Sequence, residues 1–367
     1  MPKAIIVGGG IAGLASGIAF ADVGWDVAVL ERAPRIEPLG AALSLWPNAC
    51  AAMSSIGVLS AVSAGGAPIT AMQLATRDGK TILQRTISDQ AMMSTRASLQ
   101  DALLTALGSE RVRLDCKVDH IANNRIELAG GETMTCDLVV DPGGIRALSG
   151  AKSIPSYAGY GGVLALSGKA DGVELKGLAA EYWGRDERFG VFELPENRRY
   201  WFYMRSQSAE TAMPSLAMCR KAAEGWPESV AQAIAATRED ALIPFAIHAK
   251  PPPKALNADG ILQVGDAAHA MEPNLGQGAC QALEDAAALQ VIVPNVTLEK
   301  IAAEYDRMRL KRAKMFVRES AQARYGAHGP KTIQTIFRAA LRTIPTSITE
   351  RRMLGMHTMP DYLASVR

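Results

Sequence analysis

The chain has 367 residues, 48% hydrophobic and 21% charged, the balance of a globular protein of about two domains rather than a disordered or fibrous one. Lys and Arg number 39 against 37 Asp and Glu, a net charge of +2, which argues against nucleic acid as a partner. No apolar run reaches the roughly 18 to 20 residues of a membrane span, and the N-terminus lacks the pattern of a signal peptide. Cys50, Cys116, Cys136, Cys219 and Cys280 are odd in number, scattered and without a Cys-x-x-Cys pair. That argues against a zinc ribbon, a thioredoxin-like site and a disulfide scaffold, and fits reduced, buried thiols in a cytoplasmic protein.

Residues 4–7 form an apolar run ending in three glycines, 11–23 read as a helix stopped by Gly24, and 27–30 as a second buried strand ending in Glu31. This β-α-β unit predicts a parallel sheet. Helices are expected over 47–56 and 94–107, the latter with Ser and Thr in front and Gly108 behind. Residues 121–140 look like paired strands, with Asn123-Asn124 and Gly130-Gly131 as turns. From Tyr157 to Tyr203 the sequence is strand-like and rich in aromatics. A helix is expected over 220–236, then a stiff Pro251-Pro252-Pro253 connector, a buried strand over 260–264 and a helix over 277–291.

The tail from Leu298 is helical and basic: residues 299–352 carry a local +8, leaving −6 elsewhere. Over 301–323 the spacing describes a helix with its apolar face packed and its basic face solvated.

Gly8-x-Gly10-x-x-Gly13 falls between the first strand and the first helix. Its glycines allow a tight turn, a close backbone approach to pyrophosphate and helix–sheet packing, with the phosphate at the helix N-terminus. Glu31 ends the second strand, where a carboxylate accepts from a ribose hydroxyl. This unit alone leaves NAD and FAD open. The discriminating segment is Gly265-Asp266 through Pro273 to Gly276-Gln277-Gly278, a strand end followed by a glycine-rich loop opening a helix. Asp266 suits ribityl hydroxyls, and the helix dipole suits negative charge on the flavin pyrimidine.

With these motifs, together with Gly40 to Ala49 and Arg96, the chain resembles the group A FAD-dependent aromatic hydroxylases, the family of para-hydroxybenzoate and salicylate hydroxylase. The resemblance implies an α/β fold: a Rossmann-like FAD-binding domain from residues 1–70, 91–150 and 254–295, an inserted β-rich substrate domain from 71–90 and 151–253, and C-terminal helices over 296–367. It implies cofactor contacts from Gly8, Gly10, Ile11, Ala12, Gly13, Glu31, Arg32, Ala42, Arg96, Val118, Asp266, Pro273, Gly276, Gln277 and Gly278. It also implies FAD reduced by NADH or NADPH, and O2 adding to give a C4a-hydroperoxyflavin that hydroxylates a small activated aromatic or heteroaromatic substrate. The alternatives are epoxidation or ring-expanding oxygenation on the same fold, or a binding role with impaired turnover. The protein is expected to be a monomer or homodimer with no integral membrane association.

One motif departs from the family. Where an Ala-Asp-Gly segment is usual, this chain reads Asp141-Pro142-Gly143-Gly144, so the family Asp is replaced by Gly143 and Asp141 lies two positions early. Substrate candidates in the insert are Arg188, which suits a carboxylate or enolate-like oxygen, and Tyr182, Tyr200, Trp201 and Phe202. Two-residue alternation turns Tyr200 and Phe202 one way, Trp201 and Tyr203 the other. His248 and His269 read as structural.

Overall fold

Lys3–Val7 is central to a six-stranded sheet, flanked by Asp26–Leu30 and Val112–Arg113 on one side and by Leu138–Asp141, Ile261–Gln263 and Asn257–Ala258 on the other. All pairings are parallel except the last, between Asn257–Ala258 and Ile261–Gln263. Ala4, Ile5 and Ile6 are fully buried, as strands covered on both faces must be. The helix Ile11–Asp22 packs against Arg96–Leu107 and Gly278–Ile292. Its small residues permit the approach: a Cβ on Gly17 would already touch the Leu107 methyls at 3.1 Å.

The computed structural model describes residues 1–36, 40–122, 124–149 and 153–360. Asn123, expected in a turn, lies outside these residues. Its neighbour Asn124 has φ 56° between Val118–Ala122 and Arg125–Leu128.

A seven-stranded sheet runs in the order Ile243–Ala249, Ser156–Lys169, Arg198–Ser206, Glu187–Leu194, Leu178–Trp183, Ala71–Thr76, Thr81–Thr86. It is antiparallel except between Leu178–Trp183 and Ala71–Thr76. Phe189, Trp201, Tyr203 and Trp226 share one core with the helices Leu216–Ala222 and Glu228–Ala235. Phe192, Tyr200 and Phe202 associate on the opposite face, in the alternation the sequence predicts.

Four local expectations differ. The helix expected over 220–236 is two helices, Leu216–Ala222 and Glu228–Ala235. Gly225 at φ 76° and Pro227, which has no N–H to continue a helix, break it, and Trp226 turns in to meet Phe189 edge-on at 4.9 Å. Within 121–140 only the first strands pair with one another; Leu138–Asp141 leaves them for the parallel sheet, beside Lys3–Val7. Ser94 belongs to the strand Met92–Thr95, which pairs with Ala42–Leu45, so the next helix begins at Arg96, capped by the Thr95 hydroxyl, which accepts from Ser98 N. The basic residues of the helix Leu298–Ala323 are not all solvated: Arg309 is fully buried. The chain continues through Lys331–Thr343 and Thr346–His357. No described helix is long and apolar enough to cross a membrane.

Candidate active site

The first glycine loop is crowded on one side and open on the other. A Cβ at Gly13 would lie 1.9 Å from the Gly8 carbonyl oxygen, whereas a Cβ at Gly10, the N-cap of Ile11–Asp22, meets nothing within 4 Å. Ile11 is buried and Ala12 lines the back of the loop, where a Cβ on Gly265 would meet it at 2.7 Å. Glu31 accepts from Gly9 N (2.7 Å) and Ala33 N (2.9 Å); each carboxylate oxygen retains capacity for a second hydrogen bond. Arg32 is exposed beside it, and Val118 is buried with Leu30 and Val7 beneath the strand ends.

The second loop lies across the sheet ends from the first. Gly265 takes φ 59°, and Asp266–His269 form one helical turn where the sequence reads as plain loop. Asp266 is exposed, with Arg96 and Lys250 as its cationic neighbours. Burial pulls Arg96 below its ordinary range and Asp266 opposes that; among the described residues its guanidinium makes no protein hydrogen bond. Ala42 is buried in the strand beside it.

Gly276 has φ 61°, and a Cβ there would strike Ser44 Oγ at 2.4 Å and Trp46 Nε1 at 3.0 Å. Pro273 is exposed, and a Cβ on Gly278 meets open space at the start of Gly278–Ile292. The Gln277 side chain turns inward to Asn48, whose Nδ2 donates to its Oε1 at 2.9 Å. Two glycine loops thus crowd on their protein sides and open at helix N-termini on the other, and Trp46 Nε1, buried beside Gly276, has no hydrogen-bond partner among the described residues. The donor set fits a flavin dinucleotide: backbone N–H groups and Arg96 for its anionic parts, Asp266 and Glu31 for its hydroxyls.

Asp141 does not reach outward in place of the missing Asp. Its Oδ1 accepts from Gly143 N (2.8 Å), and its Oδ2 from Ser149 N (2.8 Å) and Ser149 Oγ (2.5 Å). Lys250 was invisible to motif reading. It is 6% exposed, sits between Asp141 and Asp266, and donates weakly to Ala267 O at 3.4 Å. Burial lowers its pKa, and the two carboxylates resist.

Facing this loop, the seven-stranded sheet presents Arg188. Its Nη2 donates to Asn274 Oδ1 at 2.6 Å and its Nη1 to Glu181 Oε1 at 2.9 Å. The guanidinium lies over the Phe202 ring at 5.4 Å and the Tyr160 ring at 5.7 Å. Tyr160 donates towards Glu272 and Asn274, and Arg324 pairs with Glu272 at 3.0 Å. Tyr200 joins Arg188 on this face, its hydroxyl held protonated by burial. Gly190 leaves room for Phe202, whose ring a Cβ would meet at 2.2 Å. Trp201 and Tyr182 point the other way, bonding Thr237 and Ser229. His248 is exposed near the Tyr157 ring, and His269 is buried against Asp285.

A family model described as "FAD binding domain" matches residues 2–149 and 122–320. The chain is also 31% identical over 331 residues to aurachin C monooxygenase/isomerase of Stigmatella aurantiaca, covering 85% of this chain and 86% of that protein. The chain belongs to the FAD-binding-domain family of group A flavoprotein hydroxylases.

This hydroxylase is 30% identical over 312 residues to 2-heptyl-3-hydroxy-4(1H)-quinolone synthase of Pseudomonas aeruginosa, covering 77% of the chain and 78% of the relative. Its fold is that of Klebsiella pneumoniae HpxO complexed with FAD and uric acid, with TM-score 0.86, 24% identity, and coverage of 99% and 97% of the two chains. It is an FAD-dependent monooxygenase.

Proposed function

We propose that this flavoprotein uses NADH or NADPH and O2 to hydroxylate a small, flat, electron-rich heteroaromatic compound lying between the 273–278 loop and the sheet face of Phe192, Tyr200 and Phe202. The observation that carries this reading is the buried Arg188, bonded to Asn274 on the loop and flanked by aromatic rings on the sheet. A planar, partly anionic ring satisfies both surroundings at once. Relatives named FAD-dependent urate hydroxylase and 2-heptyl-3-hydroxy-4(1H)-quinolone synthase support the same class.

Bound FAD supplies the activation of O2. The chain's own residues do the rest. Gly8, Gly10, Gly13 and the N-terminus of Ile11–Asp22 hold the pyrophosphate, Glu31 holds a ribose, and Arg96 and Asp266 hold the flavin side. The N-terminus of Gly278–Ile292 favours negative charge on the ring. Arg188 orients the substrate and stabilises oxyanion character on it. The protonated Tyr200 hydroxyl is a neutral donor, and the aromatic face excludes water.

Epoxidation is the second reading, favoured by 28% identity over 317 residues to chloroplastic zeaxanthin epoxidase of Nicotiana plumbaginifolia, a match covering 77% of this chain and 47% of that protein. A cytoplasmic location and a monomer or homodimer complete the proposal.

The test is NAD(P)H oxidation by FAD-loaded protein across phenols and N-heteroaromatic acids. Stimulation by at least one heteroaromatic compound is expected, and a flat response across both panels would sink the proposal. Product structure separates hydroxylation from epoxidation.

A further inference from the structure

Behind the flavin-facing loop lies a charged cluster in the middle of the protein. Glu284 and Asp285 occupy successive positions of Gly278–Ile292, Arg309 lies on Leu298–Ala323, and all three are fully buried. Arg309 donates through Nε to Asp285 Oδ1 (2.8 Å), through Nη1 to Glu284 Oε2 (2.5 Å), and through Nη2 to Gln281 Oε1 (2.9 Å). Arg312 adds two bonds to Glu284.

From these anchors the bonds run outward to both arms of the loop. Asp285 Oδ2 accepts from Gly265 N (2.9 Å), the residue before Asp266, and pairs with His269 Nε2 (2.7 Å) at the end of the same helical turn. Gln281 Nε2 donates to Gln277 Oε1 (3.2 Å), between Gly276 and Gly278, and Asn48 bridges Gln277 and Glu284.

A buried ion cluster is an expensive way to pack two helices, since desolvation takes back much of the attraction. Apolar side chains would hold them together without directional bonds. What the ions provide here is direction: the Asp285 arm ends on Gly265 and His269 and the Gln281 arm on Gln277, while Glu284 and Arg312 tie the cluster to the carbonyls of Gly355, Met356 and Thr358.

We infer that Arg309 is a positioning residue, fixing segments 265–269 and 276–278 relative to each other through Asp285 and Gln281. This rests on the reading that those segments hold FAD. The cluster also balances two carboxylates against two guanidiniums, with His269 beside them. Removing Arg309 alone leaves excess negative charge behind the N-terminus of Gly278–Ile292, opposing the dipole that stabilises reduced flavin.

The test titrates full-length apoprotein with FAD, following flavin fluorescence, and measures the potential of the bound flavin. Gln281→Met cuts one arm without stranding a charge. It is expected to weaken FAD about tenfold, the scale of one or two lost hydrogen bonds, with the apoprotein melting within about 2 °C of wild type. Arg309→Lys keeps the charge and loses the fork; it should weaken FAD while leaving the potential near wild type. Arg309→Met should also lower the potential, and if it fails to fold the other two variants decide. Asp266→Ala is the control on the loop itself. Wild-type FAD affinity in both Gln281→Met and Arg309→Lys, with Asp266→Ala weakened, overturns the positioning role. Wild-type affinity in Asp266→Ala overturns the loop assignment instead.

Discussion

Arg188 Nη2 and Asn274 Oδ1, from the β-rich sheet and the second glycine loop respectively, meet at 2.6 Å. The contact brings a permanently charged donor fork to the boundary between flavin loop and aromatic sheet face, where the substrate of this hydroxylase is proposed to lie. Arg188→Gln should therefore lower kcat/KM about a hundredfold, the range for removing a charge-assisted contact to the reacting molecule. FAD affinity should stay as in wild type. Steady-state kinetics beside an FAD titration check both halves.

The two crowded and open faces of the first loop predict opposite behaviour for two alanines. Gly10→Ala places its methyl in open space at φ −75°, so the apoprotein should melt as wild type. FAD should bind at least about tenfold more weakly, equivalent to about 1.4 kcal/mol, because the methyl occupies the approach to the pyrophosphate. Gly13→Ala drives its methyl into the Gly8 carbonyl, and should lower both melting temperature and FAD affinity. Differential scanning fluorimetry with and without FAD separates them.

Restoring the family Asp at position 143 should fail as a single change. A Cβ there lies 2.7 Å from Asp141 Oδ1 and 3.2 Å from Ala147 Cα, so Gly143→Asp clashes with the carboxylate that ties down Gly143 and Ser149. A lower melting temperature and no gain in FAD affinity are expected. Adding Asp141→Gly should recover part of the stability, a coupling that a double-mutant cycle reads directly.

One buried imidazole, His328, and one half-buried imidazole, His357, shape the acid side of the stability profile. Burial, then Arg312, pushes His357 down to about 4. Burial, then Arg188 and Arg324, pushes His328 down to about 2. Both folded values lie below the ordinary 6.5, so the unfolded chain takes up protons first. Stability is full above pH 6.5 and declines as pH falls towards 4 for His357, and further for His328. Asp285 acts lower still: against the upward push of burial, His269 and Arg309 hold it at about 2, so its contribution is lost only below the ordinary Asp value. His357, stacked on Trp46 at 4.8 Å, is the accessible probe. His357→Phe should flatten the fall in melting temperature between pH 6.5 and 4, and an unchanged slope would count against this origin.

The parts of the site visible in the sequence are those whose physics is local. Gly8, Gly10 and Gly13 announce a turn, a phosphate approach and a helix contact within six residues, and Gly276 and Gly278 do the same for the second loop. Alternation placed Tyr200 and Phe202 together on one sheet face because strand geometry leaves no other choice. Arg309 and Lys250 were hidden for the converse reason. Arg309 is a cation in a basic helical pattern, and its partners Glu284 and Asp285 lie 25 and 24 residues earlier on another helix. The clue was the acidic pair inside the apolar stretch of Gly278–Ile292. Lys250 stands alone before three prolines, with no spacing to mark it. The strand Leu138–Asp141 looked like part of a hairpin because apolar alternation does not tell a strand which sheet it joins.

Insertion of an oxygen atom from O2 into a heteroaromatic substrate is read by mass spectrometry of the product formed under oxygen-18 gas. With FAD-loaded protein, NAD(P)H and the best stimulating compound, a hydroxylated product carrying one heavy oxygen atom is expected, formed in step with NAD(P)H consumed. NAD(P)H oxidation yielding only hydrogen peroxide, or a product whose new oxygen comes from water, would contradict it.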